Sequence, residues 1–356
     1  MFLLVLNCGS ATVKYKLFVC SPQPSEPLAR GTVETSARYA ETVDRVLAGL
    51  PRQPDAVAHR VVHGGSRFRA PVLVDSEVEG EIRRLAAVAP LHNGPALEGI
   101  AAARRLEAPM VAVFDTAFHQ TLPDVAFRYA LPAAVPPEVR RYGFHGLSHE
   151  YLTLRYAELT GSTSPTLVTL HLGSGCSAAA IRGGVSVDTS MGMTPLEGLV
   201  MGTRAGDLDP GILLHLLRSG ASLERLEQSL NHEAGLEGLA GTADMRALLS
   251  RSDAAARLAV DIFCYRVRKY VGAYLAVLGG AEAVVFSGGI GENSPEIRLR
   301  IAEGLQWLGL ALDGERNRRG EGRISTDASR LAAWVIRTDE EILIARRAIQ
   351  CLEGKT

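Results

Sequence analysis

Residues 2–18 read FLLVLNCGSATVKYKLF and combine an apolar run, a polar turn that contains a glycine, and a second, partly alternating run. Short apolar runs bounded by turn residues are typical of β-strands. A similar plan recurs at 166–188, where three short apolar segments are separated by glycine-rich turns. Each half of the chain is therefore predicted to begin with a three-stranded meander. In the first half the third strand is expected at 28–34, after a loop marked by Pro22, Pro24 and Pro27.

In both halves the meander is followed by helical patterns and by later apolar runs that are predicted to be buried strands. These runs lie at 56–62 and 110–114 in the first half, and at 283–286 and 332–336 in the second. Two α/β halves of this kind bind ligands where strand ends converge, in the cleft between them. The sequence thus predicts an α/β fold with a duplicated plan.

Composition excludes several classes of partner. The chain has 356 residues and a formal net charge of −1, which gives no basic excess for nucleic acid or an anionic membrane surface. The five cysteines are scattered and contain no C-x-x-C pair, as expected in a reducing compartment. Charged residues interrupt the longest apolar stretch, so we expect no membrane span and a cytoplasmic protein.

Two turns could bind phosphate. The first runs from Asn7 to Lys14 and offers backbone N–H groups, the hydroxyls of Ser10 and Thr12, and the Lys14 charge. The second, HLGSGCS at 171–177, has two glycines that let the backbone approach a polyphosphate closely. An ordinary hairpin turn is the alternative for each of them taken alone.

A third glycine-rich segment, FSGGIGENS at 286–294, follows a predicted strand and precedes a predicted helix. It matches neither the P-loop nor the dinucleotide fingerprint. Its glycines could lie flat against a base and ribose. The alternative is a plain strand–helix connection that Asn293 or Ser294 caps.

Several polar residues lie at predicted strand ends or turns. Arginine forks suit carboxylates and phosphates, with surface ion pairing as the alternative. His145 is followed four residues later by His149, but no H-E-x-x-H motif accompanies the pair, so zinc is not predicted. Together with the glycine-rich turns, these residues favour a phosphoryl-transfer site with a divalent metal. They are Arg60, His92, Asp115, His145 and Arg204.

Nine blocks, in order and across essentially the whole chain, resemble the acetate kinase family. They are LVLNCGSATVKYKLF, AHRVVHGG, APLHN, VFDTAFHQTLP, YGFHGLSHEY, HLGSGCS, SMGMTPLEGLVMGTRAGDLDPG, FSGGIGENS and TDEEILIARRA. The resemblance implies the actin and sugar-kinase fold, with duplicated βββαβαβα domains and ATP in the cleft. The implied domains are 1–148, joined by the C-terminal helix 339–356, and 149–338.

The resemblance also implies a role for individual residues. The implied catalytic group comprises Arg60, Asp115, His145 and Arg204. The implied substrate pocket comprises Arg60, Val62, Leu91, His92, Phe144 and Pro195. The implied ATP-binding set comprises Ser10, Thr12, Lys14, His171, Leu172, Gly173, Ser174, Gly175, Asp244, Met245, Arg246, Gly289, Ile290, Gly291, Glu292 and Asn293. Asn7 and Glu340 are the implied ligands of Mg²⁺, for which Mn²⁺ can substitute.

The implied reaction is reversible transfer of a phosphoryl group from ATP to acetate, which gives acetyl phosphate and ADP, in a homodimer. Ser174, Met245 and Asp339 depart from the usual family pattern, which bears on nucleotide binding. Two alternatives stay open. One is a kinase that acts on propionate or butyrate or uses a donor such as pyrophosphate, and the other is a catalytically silent nucleotide sensor.

Overall fold

A computed structural model of the chain describes residues 1–9, 12–21, 23–35, 39–86 and 90–355, and of 90–92 it describes the backbone alone. The strands, in chain order, are β1 (Phe2–Cys8), β2 (Thr12–Cys20), β3 (Pro24–Glu34), β4 (Ala56–Val61), β5 (Val72–Leu73), β6 (Met110–Phe114), β7 (Leu167–Leu172), β8 (Cys176–Arg182), β9 (Val185–Thr189), β10 (Ala283–Ser287), β11 (Gly322–Arg323) and β12 (Ala332–Val335). The α-helices are α1 (Tyr39–Ala48), α2 (Ser76–Leu85), α3 (Pro90–Ala103), α4 (Asp124–Phe127), α5 (Gly146–Thr160), α6 (Pro210–Arg218), α7 (Leu223–Gln228), α8 (Gly235–Ala240), α9 (Met245–Leu249), α10 (Ala254–Leu278), α11 (Gly288–Asn293), α12 (Pro295–Glu303), α13 (Gly314–Arg319) and α14 (Glu340–Leu352).

The chain forms two compact units. Unit 1 comprises Met1–Gln120 and Asp339–Thr356, and unit 2 comprises Thr121–Thr338. Helix α14, at the end of the chain, therefore belongs to the same unit as the N-terminal strands. The domain limits predicted above from the resemblance remain a prediction.

Each unit contains one mixed sheet, and the two sheets share a strand order. In unit 1 the order is β3-β2-β1-β4-β6-β5, and in unit 2, from the opposite end, it is β9-β8-β7-β10-β12-β11. In both, an antiparallel meander is continued by two parallel strands, and a two-residue antiparallel strand closes the edge. The predicted duplicated α/β fold is confirmed.

The central strands are buried because both faces of each sheet are covered. In unit 1, Leu4 and Leu6 of β1 pack in one cluster with Ile100 of α3 and Ile82 of α2. Alternation along the strand turns Leu3 to the other face, and α14 contacts β1, β4 and β6. Continuous apolar runs such as MVAVF in β6 follow from this two-sided burial.

The prediction of a loop at Pro22, Pro24 and Pro27 is wrong in part. Pro24 and Pro27 lie inside β3, while Pro22 lies outside the described residues. β3 is the edge strand of its sheet, where a residue without an N–H group is tolerated. The pairing with β2 shifts register between Leu17 and Phe18 and again between Phe18 and Cys20, beside these prolines. Within the described residues, no helix is long and apolar enough to cross a membrane.

Candidate active site

The site in unit 1 is built at the carboxyl ends of three parallel strands. Arg60 is the penultimate residue of β4, and Asp115 directly follows β6. Parallel pairing of β4 with β6 places these positions side by side, and Asp115 N–H donates to the Val61 carbonyl at 3.0 Å. The guanidinium of Arg60 binds the Asp115 carboxylate with two hydrogen bonds, one from Nε at 3.1 Å and one from Nη2. Asp115 is 1% exposed, so this is a buried ion pair.

Three further residues complete the Arg60 cluster, which we define as Arg60, Asp115, Asn7, Glu340 and Glu341. Arg60 Nη1 donates to Asn7 Oδ1 at 3.1 Å, and Arg60 Nε lies 3.8 Å from Glu340 Oε2. Asn7 Nδ2 lies 3.5 Å from Glu341 Oε1. Burial acts to lower the pKa of Arg60, but the surrounding carboxylates outweigh it and raise that pKa, so the guanidinium is charged. Burial raises the pKa of Glu340, an effect that Arg60 offsets only in part.

The Arg60 cluster offers oxygen atoms of the kind that a hard cation prefers. Within the described ranges, no group of three or more His, Cys, Asp and Glu side chains is arranged to hold a metal. Mg²⁺ does not need such a cage, since it is commonly held by one or two carboxylates together with substrate phosphates and waters. Glu340 supplies a carboxylate and Asn7 an amide oxygen. The donor chemistry therefore fits Mg²⁺ that is shared with a phosphate ligand.

The first phosphate turn contributes an exposed cation. Lys14 is exposed on β2, where it pairs with Asn7 of β1. Thr12 begins β2, and Ser10 lies outside the described residues. The sequence analysis did not single out Lys16, although alternation along β2 places it on the same face of the strand as Lys14. Its Nζ binds Asp339 Oδ1 at 2.7 Å and lies 3.4 Å from Glu341 Oε2.

The predicted acyl-pocket residues of unit 1 lie close to this cluster in sequence. Val62 follows β4 directly and is buried. Leu91 and His92 belong to the first turn of α3, but their side chains are outside the described part of the structure. Asn93, which is fully buried, accepts from His63 N–H at 2.9 Å and donates to the His63 carbonyl at 3.0 Å. The start of α3 is thus fixed to the residue that follows Val62.

In unit 2, His145 and Arg204 converge on the turn after β7. A Cβ atom on Gly175 would lie 3.2 Å from His145 Nε2 and 3.3 Å from Arg204 Nη2. A side chain at this position would therefore crowd both His145 and Arg204 where they approach the backbone. His145 has a left-handed backbone with φ of 55°, at the N-cap of α5. Its ring stacks on that of His171 with centroids 4.3 Å apart.

Arg204 is half-buried and has no carboxylate partner among the described residues. Its Nη1 donates to the Pro195 carbonyl at 2.8 Å, and among the described residues no carboxylate lies within ion-pairing distance of it. Burial lowers the pKa of Arg204. A desolvated cation of this kind binds an anionic ligand strongly, because the ligand supplies the missing counter-charge.

The loop that carries Pro195 is held by a group that sequence analysis missed. Arg141 Nη1 donates to the carbonyls of Thr189, Ser190 and Met191 at 3.0–3.1 Å, and its Nη2 binds Glu197 Oε1 at 2.5 Å. This clamp fixes the loop after β9. Phe144, also predicted for the acyl pocket, is buried three residues after Arg141.

A pocket of about 670 Å³ in unit 2 brings together residues from three separate segments. A volume of this size is typical of sites for small molecules and cofactors. Eight residues predicted to bind nucleotide line it, together with five that were not predicted. The lining residues are Gly173, Ser174, Asp244, Met245, Arg246, Gly289, Ile290 and Asn293, with Ala243, Leu249, Ser294, Pro295 and Glu296.

Five further predicted nucleotide residues of unit 2 adjoin lining residues in sequence without being part of the lining: His171, Leu172, Gly175, Gly291 and Glu292. His171 and Leu172 end β7, and a Cβ on Gly291 would contact the Leu172 side chain at 3.6 Å. Asp244 caps α9 by accepting from Arg246 N–H at 2.8 Å. Asp244, a residue of the pocket lining, is therefore held in place by a short-range capping interaction.

Glu292 is directed onto the backbone that supports the pocket. Its Oε1 accepts from Ser287 Oγ at 3.0 Å, from Gly288 N–H at 3.0 Å and from Thr338 N–H at 3.1 Å. At the other end of α11, Nη1 of the buried Arg298 donates to the Gly291 and Glu292 carbonyls at 2.8 and 2.9 Å. The glycine-rich helix is therefore braced at both ends.

The duplicated sheets, the basic turn residues and the carboxylate-bound arginine define a phosphotransferase with the actin-like kinase fold. The profile of the acetokinase family matches residues 37–346, and the chain belongs to that family. Its members are phosphotransferases with a carboxyl group as acceptor, and so is this enzyme.

Relatives match along the full chain. It is 44% identical over 416 residues to an acetate kinase of Chloroherpeton thalassium, with all of both chains covered. The structure of a propionate kinase from Francisella tularensis is 37% identical with a TM-score of 0.92 and covers 97% of this chain and 98% of that one. The structure of Porphyromonas gingivalis acetate kinase is 36% identical with a TM-score of 0.90 and covers 99% of each.

The contacts of Glu292 predict different outcomes for two substitutions. Glu292→Gln keeps an oxygen that accepts from the Gly288 and Thr338 amides, so we expect little change in stability or ATP affinity. Glu292→Ala removes the acceptor and should lower the free energy of unfolding by about 1–3 kcal/mol for each amide left unsatisfied. Chemical denaturation and ATP titration measure both. Loss of ATP affinity in a fully stable Glu292→Gln variant would contradict the bracing role and favour direct nucleotide contact.

Proposed function

We propose that the carboxylate acceptor is acetate and that the enzyme transfers the γ-phosphoryl group of ATP to it, reversibly, giving acetyl phosphate and ADP. The observation that carries this proposal is the hydrogen bonding of Arg60. A guanidinium has five N–H groups. Within the described residues three of them are used, two toward Asp115 and one toward Asn7. One N–H on each Nη is left to bind the oxygens of a small carboxylate.

The chemistry requires charge stabilisation more than proton transfer. A carboxylate is already ionised near neutral pH, so its attack on phosphorus needs no general base. A carboxylate oxygen forms the new P–O bond while the bond to the ADP oxygen breaks. The obstacle is repulsion between two anions, which cationic and N–H donors relieve in the transition state. We assign this role to Arg60, Arg204, His145 and Lys14, with Asp115 as the group that orients Arg60.

Mg²⁺ would be held by Asn7 and Glu340, and when bound it would neutralise charge on the nucleotide phosphates. The turn at 171–175 and the residues of α11 and α9 would bind the nucleotide, with Met245 against the base. Val62, Leu91, His92, Phe144 and Pro195 would surround the acyl methyl group. Ser10 and Thr12 complete the proposed phosphate contacts.

We also propose that the protein is a homodimer that associates through unit 2. Helix α6 exposes a row of large apolar side chains, including Ile212, Leu214 and Leu217, and Leu223 at the start of α7 is exposed as well. Contiguous apolar surface of this kind is typical of protein interfaces.

Acyl specificity is the first expected outcome. With Mg²⁺·ATP and hydroxylamine to trap acyl phosphate, kcat/KM should be highest for acetate and lower for propionate and butyrate, since one methylene is worth about 10–200-fold. Val62→Ala should shift the ratio toward propionate, and EDTA should abolish turnover. Turnover highest with propionate would correct the substrate, and turnover with pyrophosphate alone would correct the donor. ATP binding without any product would support a silent sensor instead.

Replacing Arg60 or Arg204 is expected to lower kcat in both cases but to change the stability of the protein differently. Arg60→Met and Arg204→Met should each lower kcat by about 10²–10³-fold or more, because each removes a transition-state donor. Arg60→Met also removes the cation that pairs with the buried Asp115, which costs about 3–5 kcal/mol of stability. Arg204→Met removes a desolvated charge that has no carboxylate partner, so its stability should equal or exceed that of the wild type.

Kinetics and thermal denaturation together test this contrast. Arg105→Ala, at an exposed surface pair with Asp44, serves as the control and should change neither quantity. Normal turnover in Arg204→Met would remove Arg204 from the proposed site.

The dimer proposal predicts that Leu214→Glu combined with Leu217→Glu yields folded monomers. Light scattering coupled to size-exclusion chromatography measures the mass, and circular dichroism checks the fold. Val125→Glu, at a residue that is 93% exposed on α4, is the matched control and should leave the dimer intact. A monomeric wild-type protein, or a dimer that survives the double substitution, would contradict this interface.

A further inference from the structure

A buried chain of hydrogen bonds ends at His145. Thr169 Oγ1 lies 2.8 Å from His149 Nδ1, His149 Nε2 lies 2.8 Å from Ser177 Oγ, and Ser177 Oγ lies 2.9 Å from His145 Nδ1. Thr169, His149 and Ser177 are fully buried. We call these three residues the His145 relay.

Secondary structure explains why the relay forms. His145 and His149 are one turn apart at the start of α5, and His149 N–H donates to the His145 carbonyl at 3.0 Å. Side chains four residues apart lie on the same face of a helix. Thr169 belongs to β7 and Ser177 to the adjacent strand β8. Both rings therefore face hydroxyls that rigid strands present.

The direction of these hydrogen bonds follows from the number of hydroxyl protons. Ser177 has one proton, so it donates to one ring and accepts from the other. Among the described residues, His149 is the one hydrogen-bond partner of the Thr169 hydroxyl. If His149 carried its proton on Nδ1, the Thr169 proton would be buried without an acceptor, which is unfavourable. The favoured order is Thr169 O–H to His149 Nδ1, His149 Nε2–H to Ser177, and Ser177 O–H to His145 Nδ1.

We propose that the His145 relay fixes the neutral His145 ring as the tautomer with its proton on Nε2. Nε2 is the nitrogen beside Gly175, where Arg204 Nη2 also approaches the same backbone turn. The ring thereby presents an N–H donor, not a lone pair, beside the Arg204 guanidinium. The role of the relay in catalysis rests on the phosphotransfer function proposed above. In that reaction the positioning residues Thr169, His149 and Ser177 keep His145 as a hydrogen-bond donor toward the transferred phosphoryl group.

The tautomer is measured directly by ¹⁵N NMR of histidine-labelled protein at a pH where the ring is neutral, with His145→Asn identifying the signals. We expect a protonated-type shift at Nε2 of His145 and an unprotonated-type shift at Nδ1. A protonated Nδ1 in the wild type would overturn the proposal. This measurement needs no substrate, so it tests the relay independently of the proposed function. If the protein shows the expected tautomer but phosphorylates none of the acids, the proposed function is refuted and the relay is not.

Substitutions at Thr169 test the cause. Thr169→Val keeps the shape of the side chain and removes its proton, so His149 is no longer held in one tautomer and His145 should become a mixture. We expect kcat to fall about tenfold, less than on complete loss of a donor, with the KM for ATP unchanged. Thr169→Ser keeps the hydroxyl and should restore both the tautomer and kcat. A single wild-type tautomer together with unchanged kcat in Thr169→Val would overturn the proposal.

Thr153→Val is the matched control, because Thr153 is a buried threonine that bonds the His149 carbonyl and not its ring. It should leave the tautomer and kcat unchanged. A loss of kcat equal to that of Thr169→Val would show a general packing effect and overturn the relay. Ser177→Ala is the second test if Thr169→Val does not fold, and it too should release His145 from a single tautomer.

Discussion

The buried ion pair between Arg60 and Asp115 is the interaction on which the site in unit 1 depends. A carboxylate that is 1% exposed is strongly destabilised in its ionised form unless a cation pairs with it, and Arg60 supplies that cation. Parallel pairing of β4 with β6 puts Arg60 opposite Val113, two residues before Asp115, so both groups lie at the same end of the sheet. The sheet order therefore determines the chemistry, because the carboxyl ends of β1, β4 and β6 lie at one edge.

Arg204 of unit 2 has the opposite arrangement to Arg60, since among the described residues no carboxylate pairs with it. Arg204 is desolvated beside a carbonyl, and His145 is held in a left-handed conformation at a helix N-cap. Desolvation of Arg204 is unfavourable in the free protein and is offset when an anion is present, which is how electrostatic preorganisation stabilises a transition state. Arg60 is neutralised by Asp115 within unit 1, whereas Arg204 has no carboxylate partner among the described residues of unit 2.

Local patterns were sufficient to predict the duplicated meanders, the strand ends that carry Arg60 and Asp115, and the glycine-rich turns. They failed only for the first residues of β3, because the sheet order is needed to show that Pro24 and Pro27 lie on an edge strand. The clamp at Arg141 and the relay through Thr169 depend on partners about 20–56 residues away, and no sequence spacing reveals such pairs. The roles assigned to the site residues remain predictions, although the fold and family are established.

The discontinuity of unit 1 has a consequence for biosynthesis. Helix α14 contributes Glu340 to the Arg60 cluster and packs on strands made more than two hundred residues earlier. Because synthesis proceeds from the N-terminus and domains fold as units, unit 2 is complete on the ribosome before unit 1 can be. The nascent chain therefore lacks Glu340, and with it part of the Arg60 cluster, until α14 has been made, and a premature stop before residue 340 would release a chain without this helix.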